Sequence, residues 1–383
     1  MTVFCTAPWN GITVREDGHV RTCCVGRTSL GNLNDIAIDQ IIDSIELEKI
    51  RQDMLSNKPN LHNCQSCIKL EKHSGLATLK QHYNKFYPIS KNNEFRLKNL
   101  DIRWNNACNL GCMYCNQTFS STWENRLGLS RSSVIKQYQD DLLNWILKHI
   151  DQLQEIMLVG GEPMLMKQNY ELIKQLPDHC KISIITNLSY DLPNLPCTQK
   201  LLDRPRENTL WNVSLENTGS QFEYVRNGSQ WALVKQNLEY LNQHWPGVIS
   251  INFVYSMFSA FSIIDTVQTL HEIGIKKINF FVIDNNPIMD IFNMPLPIRL
   301  AAAENLQRAI QWHIDQLHPE DKDLYQFQGA DSILSQLQKS TSPGQVTLEE
   351  FLSKIAWYNQ YNDIDFGTLW PDQLDLVKKH LYT

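Results

Sequence analysis

The stretch "NNACNLGCMYCNQ", residues 105–117, places Cys108, Cys112 and Cys115 in the spacing C-x3-C-x2-C. Thiols at that spacing would share one face of a helix, so three buried cysteines on an apolar stripe are the plain alternative. Asn105, Asn106, Asn109 and Gly111 argue against a helix, because these residues favour turns. The preceding "LDIRW" (100–104) reads as a buried strand, which puts the cysteines on a strand-end loop where binding groups collect. Structural zinc takes four ligands, and no fourth lies close by. Iron–sulfur clusters are the other common use of grouped thiolates, and three on a four-iron cluster leave one iron open.

From about residue 98 onward, short apolar runs alternate with longer amphipathic ones. After "LDIRW" come "EIMLVGG" (155–161), "KISIITN" (181–187), "LWNVSL" (210–215), "ISINFVYS" (249–256) and "KINFFVID" (277–284), all read as strands. Between them lie helical patterns at 133–150, 229–244 and 263–274. Strands separated by helices imply a parallel α/β sheet with right-handed crossovers, and ligands gather at the carboxyl ends of such strands. Periodicity does not say whether the sheet closes into a partial barrel. Residues 1–97 hold a second cysteine group, a turn at "REDGHV" (15–20) and helical patterns near 34–56 and 67–86. Residues 291–383 read as mostly helical, with a loop at "STSPGQVT" (340–347). The expected division is therefore 1–97, 98–290 and 291–383.

Composition narrows the function. The chain of 383 residues has a formal net charge of −6, which gives no basic surface for nucleic acid. No signal peptide is read at the start, and no run is long and apolar enough for a bilayer. A cytoplasmic, reducing location follows as an expectation, and there clustered cysteines serve as ligands rather than disulfides. Eight of the ten cysteines precede residue 116; Cys180 and Cys197 stand alone and read as packed small hydrophobes.

"CNLGCMYC" resembles the signature of the radical S-adenosylmethionine (SAM) superfamily, including the aromatic Tyr114 before the last cysteine. The resemblance implies a partial (β/α)6 TIM-like barrel and a [4Fe–4S] cluster on Cys108, Cys112 and Cys115, with SAM on the open iron. "VGGEP" (159–163), following the second strand, resembles the motif that meets the SAM amino group, which implicates Gly160, Gly161, Glu162 and Pro163. "ITNLS" (185–189) implicates Asn187 near the ribose. "VSLEN" (213–217) implicates Ser214 and Glu216 on the nucleoside side. The segment 224–241 implicates Arg226 toward the SAM carboxylate. The implied chemistry belongs to the cofactor: one-electron cleavage of SAM to a 5′-deoxyadenosyl radical, which abstracts hydrogen from a substrate. No acid–base catalytic residue is named by these motifs. A flavodoxin- or ferredoxin-type reductant is implied as a partner.

Residue spacing alone leaves Cys5, Cys23 or Cys24, Cys64 and Cys67 open to a four-cysteine zinc module. The pattern also resembles the SPASM/twitch module of radical SAM enzymes. Cys5 precedes the Pro8-Trp9 pair, a hairpin leads to Cys23, Gly31-Asn32-Leu33 follows, and Cys64-x2-Cys67 closes the set. That implies one auxiliary [4Fe–4S] cluster, in a module that here precedes the barrel although it usually follows it. Cys23 and Cys24 would point to opposite faces of a strand, so one of them ligates; the resemblance favours Cys23. His62, His73 and His82 lack metal spacing and read as surface or capping residues. The functional expectation is hydrogen abstraction from a peptide or protein. The alternatives are a small metabolite such as a sugar, nucleoside or amine, and a non-catalytic, zinc- or cluster-stabilised binding protein.

Overall fold

The computed structural model describes residues 3–58, 61–73, 78–90, 93–129, 137–283, 286–317, 327–339 and 346–381. The chain divides into two units, one of residues 1–108, 117–185 and 195–210, the other of 109–116, 186–194 and 211–383.

The first unit holds β1 (Gly11–Val14), β2 (His19–Arg21), β3 (Gly31–Asn32), β4 (Asn99–Ile102), β5 (Glu155–Leu158) and β6 (Lys181–Thr186), in the order β6-β5-β4-β1-β2-β3. β1 and β2 form the hairpin expected at "REDGHV", and Gly18 takes the left-handed conformation (φ +84°) that its turn needs. The unexpected element is β1 itself: it pairs in parallel with β4, Gly11 opposite Asn99 and Val14 opposite Ile102. β4, β5 and β6 then continue in parallel.

Strand alternation separates two faces. Ile12, Val14, Leu100, Ile102, Ile156, Leu158, Ile182 and Ile184 fill one, and each is almost fully buried. Burying such a side chain contributes about 1.5–3 kcal/mol, so this face drives assembly. The other carries Met157 beside Thr13, Asn99, Asp101 and Glu155, four polar groups that a hydrophobic core would not accept unpaired. The helices Gln137–Lys148 and Lys167–Ile173 follow β4 and β5 as the crossovers. The part of the expected 133–150 helix at 133–136 lies outside the described residues.

The first expected N-terminal helix splits in two. It becomes Ile38–Ile42 and Ile45–Leu55, because Ser44 caps a new helix by accepting from Leu47 N–H. Of the second, Leu61–His73 and Leu79–Phe86 are helical, the latter opened by a Thr78–Gln81 capping box, and residues 74–77 lie outside the described residues.

The second unit holds β7 (Thr209–Ser214), β8 (Ile249–Tyr255), β9 (Ile278–Val282) and β10 (Phe327–Gln328), neighbours in that order and all parallel. β10 was not legible in the sequence: two residues carry no periodicity. The C-terminal helices run Leu296–Gln316, Ala330–Leu337, Leu348–Asn359 and Pro371–His380. An aromatic cluster of Phe258, Phe351, Phe366 and Trp370 ties them to the end of β8. Most of the expected 340–347 loop, residues 340–345, lies outside the described residues. No described helix is long and apolar enough to cross a membrane.

Candidate functional site

Residues 103–120 contain no helix, which removes the buried-stripe reading of the three cysteines. Cys108 belongs to the first unit. Its N–H donates to Ser121 Oγ (3.1 Å), while its carbonyl accepts from Ser121 Oγ (3.2 Å) and Thr122 Oγ1 (2.9 Å). Asn105 Oδ1 accepts from Ala107 N–H, the turn chemistry that its side chain favours.

The "VGGEP" motif seats this loop. Gly161 has φ +51°, and a Cβ there would lie 2.1 Å from the Ala107 carbonyl oxygen. At Gly160, with φ +83°, a Cβ would meet Arg103 Cβ at 2.7 Å. Glu162 N–H donates to the same Ala107 carbonyl at 2.8 Å. The Glu162 side chain is fully buried and accepts from Met164 N–H, and Pro163 opens the next turn. Gly161 is needed because backbone packs directly on backbone one residue before Cys108, and Gly160 because the Arg103 side chain fills the space a Cβ would take.

In the second unit the loop is held from below. Gly111 N–H donates to the Asn227 carbonyl and Met113 N–H to the Val225 carbonyl, each at 2.9 Å. Cys115 N–H closes a turn onto the Cys112 carbonyl. Tyr358 Oη donates to the Met113 carbonyl at 2.7 Å, an anchor from the C-terminal helices that no local sequence signal announces.

Beside buried Cys112 lies a charged pair. Arg226 donates from Nε to Glu216 Oε2 (2.8 Å) and from Nη2 to Oε1 (2.7 Å), while Nη1 reaches Cys112 Sγ at 4.0 Å. Tyr114 Oη donates to Glu216 at 3.1 Å, and the guanidinium lies 5.4 Å from the centre of the Tyr114 ring. Burial raises the Cys112 thiol above its usual range, with Arg226 opposing. Burial likewise holds Tyr114 well above a normal phenol. Burial works against the Arg226 charge, but Glu216 beside it keeps the guanidinium protonated. Asn187 donates to Asn109 Oδ1 (2.9 Å), and Asn109 donates to the Ser189 carbonyl (2.7 Å). Ser214 ends β7, partly exposed.

Four of the N-terminal thiols border one space. Cys5, Cys23, Cys64 and Cys67 line one apolar cavity under Tyr83 and Leu79, whereas Cys24 lines a different cavity beside Asp101. Burial pushes the Cys5 thiol up to about 12, and burial likewise raises Cys23 and Cys64. Four thiols around one apolar space, Cys67 buried and the other three partly buried, are in their chemistry a donor set that suits an iron–sulfur cluster, whose binding requires their deprotonation. Of the three histidines, His62 is exposed and His82 donates to Glu155 at 2.9 Å.

Comparison with known proteins follows this geometry closely. Residues 102–257 match the radical SAM superfamily model. The chain carries a radical SAM domain. Residues 5–68 match SPASM, the iron–sulfur cluster-binding domain, so this radical SAM chain carries its SPASM domain ahead of the barrel domain and the zinc-module reading falls away. Its cofactors are a [4Fe–4S] cluster with SAM and an auxiliary iron–sulfur cluster. Similar solved structures include native anSMEcpe with bound AdoMet, at 15% identity and TM-score 0.39, covering 56% of this chain and 59% of that one. Streptococcus suis SuiB bound to S-adenosylmethionine is 18% identical with TM-score 0.41, covering 69% and 60%. SuiB bound to its precursor peptide SuiA is 18% identical with TM-score 0.40, covering 80% and 70%. The chain thus spans about three fifths of the first two solved chains. No curated protein sequence matches.

Proposed function

We propose that this radical SAM chain is an enzyme that abstracts hydrogen from a peptide or protein, using Cys108, Cys112 and Cys115 as ligands of the SAM-binding cluster. The observation that carries the reading is the uncoiled cysteine loop seated on Gly160 and Gly161. The chemistry supplied when cluster and SAM are bound is one-electron cleavage of the sulfonium C–S bond followed by hydrogen abstraction.

The chain's own residues then divide the work. Gly160 to Pro163 fix the backbone beside Cys108 and present the stretch assigned to the SAM amino group. Asn187 and Ser214 supply polar groups for the nucleoside. Arg226 and Glu216 occupy each other, which favours a supporting role: they hold Tyr114 and Cys112 in place rather than binding SAM directly. Cys5, Cys23, Cys64 and Cys67 hold one auxiliary [4Fe–4S] cluster. A peptide substrate is supported by the SPASM domain, since auxiliary clusters in this family accompany peptide modification. A flavodoxin- or ferredoxin-type protein supplies the electron.

The test uses the reconstituted chain with SAM and reductant, offered separately a uniformly deuterated proteolytic peptide pool and a deuterated small-metabolite extract. Deuterium in 5′-deoxyadenosine from the peptide pool supports the reading. Label from the metabolite pool alone would replace it with a metabolite enzyme. No 5′-deoxyadenosine at all would leave a cluster-stabilised binding protein.

A further inference from the structure

A cavity of about 330 Å³ in the first unit belongs to none of the roles above. Its floor is the polar face of β1, β4 and β5, contributed by Thr13, Asn99, Asp101, Glu155 and Met157. Cys24, from the turn after β2, and His82, from the helix Leu79–Phe86, close its sides. Met157 precedes Gly160 by three residues, about 10 Å along the chain at the usual strand rise, so the cavity sits below the strand end that seats the cysteine loop.

One buried acceptor at this cavity is left without a donor. Asp101 is 4% exposed; its Oδ1 accepts from Arg103 at 2.7 Å, but its Oδ2 is buried with no hydrogen-bond partner. Glu155 Oε2 takes His82 (2.9 Å), Tyr87 (2.5 Å) and Asn99 (3.4 Å). Glu16 shares the same cations, pairing with Arg15 at 3.0 Å and lying 3.9 Å from Arg103. Asp101 and Glu16 thus share two guanidiniums, Arg15 and Arg103, while the cavity wall itself adds the titratable side chains of Glu155, His82, Cys24 and Tyr83 and, among the described residues, no lysine or arginine. An orphaned buried carboxylate oxygen costs stability unless something donates to it, and a cavity beside it gives a donor room. Burial lifts the Asp101 carboxyl above its usual range, with Arg103 and Arg15 opposing.

We propose that this cavity receives a primary ammonium group of the substrate, held by Asp101 Oδ2. As a statement about the substrate it rests on the peptide reading, in which the ammonium is a lysine side chain or a peptide N-terminus. Its binding test does not. Cys24 is exposed and lines the cavity, so its alkylation reports occupancy.

The reconstituted full-length chain is treated with iodoacetamide, and modification of Cys24 is followed by site-resolved mass spectrometry. Probes are Nα-acetyl-lysine methylamide, Nα-acetyl-norleucine methylamide and alanine amide. A probe present at about ten times its dissociation constant should slow the reaction about tenfold. Protection by the lysine probe and not by norleucine supports the proposal with a side-chain source. Protection by alanine amide alone supports it with an N-terminal source. Equal protection by norleucine, no protection by either amine, or protection that survives Asp101→Asn overturns it. The lysine–norleucine comparison is made on the wild-type chain, so it decides even if Asp101→Asn fails to fold. Deuterium transfer and Cys24 protection are separate readouts, so loss of one does not imply loss of the other.

Discussion

Gly161 shows how much a single hydrogen in place of a methyl can decide. Alanine there would enter a left-handed conformation and drive its Cβ into the Ala107 carbonyl. Gly161→Ala should cost on the order of 1–3 kcal/mol in backbone strain and displace Cys108. Its check is iron retention after reconstitution: wild-type iron at Cys108–Cys115 would mean that the glycine does not seat the loop. The Arg226–Glu216 pair makes the opposite case, a strong contact that adds little by existing. Glu216→Gln strands a buried guanidinium and should destabilise by about 3–5 kcal/mol in urea unfolding. Glu216→Gln combined with Arg226→Met should recover much of that loss, and a double variant as unstable as the single would refute the argument.

Among elements, strands were legible wherever a hydrophobic run met a turn signal. The six core strands lie within a few residues of their expected positions. The unread parts have a common cause. β1 is recognisable as half of a hairpin, but its partnership with β4 is a long-range pairing that no periodicity encodes. Tyr358, Ser121 and Thr122 support the cysteine loop through single hydrogen bonds, and a lone hydroxyl has no pattern to betray it. Strand alternation does not apply to Cys23 and Cys24, because β2 ends at Arg21 and both lie in the bend and turn that follow; the two nonetheless line different cavities. The helix pair Ile263–Ile273 and Leu296–Gln316 carries a pH prediction. His271 Nε2 lies 2.7 Å from His313 Nδ1, and burial, with Lys276 nearby, lowers the His271 pKa below 6.5. A histidine with a depressed folded-state pKa binds its proton more readily when unfolded, so its contribution is present above pH 6.5 and lost as pH falls below it. The denaturant midpoint should therefore drop between pH 7.5 and pH 5.5, and His271→Phe should flatten that dependence. An unchanged slope in the variant would place the effect elsewhere.

For the whole molecule, iron is the quantity to count. The reconstituted chain should hold about eight irons, and the triple alanine variant at Cys108, Cys112 and Cys115 about four. Cys23→Ala should lower the auxiliary iron while Cys24→Ala keeps it; the reverse pattern would exchange their roles. The pairing of β1 with β4 has one more consequence, for anyone who cuts the gene. The radical SAM domain model begins at residue 102, which invites expression from about residue 98. Such a fragment would present β4 as a bare edge, its ladder groups open to any other chain in extended conformation, the usual route to inclusion bodies. The SPASM segment thus covers the edge of the strand that leads into the cysteine loop, and a fragment lacking it should be less soluble than the full chain.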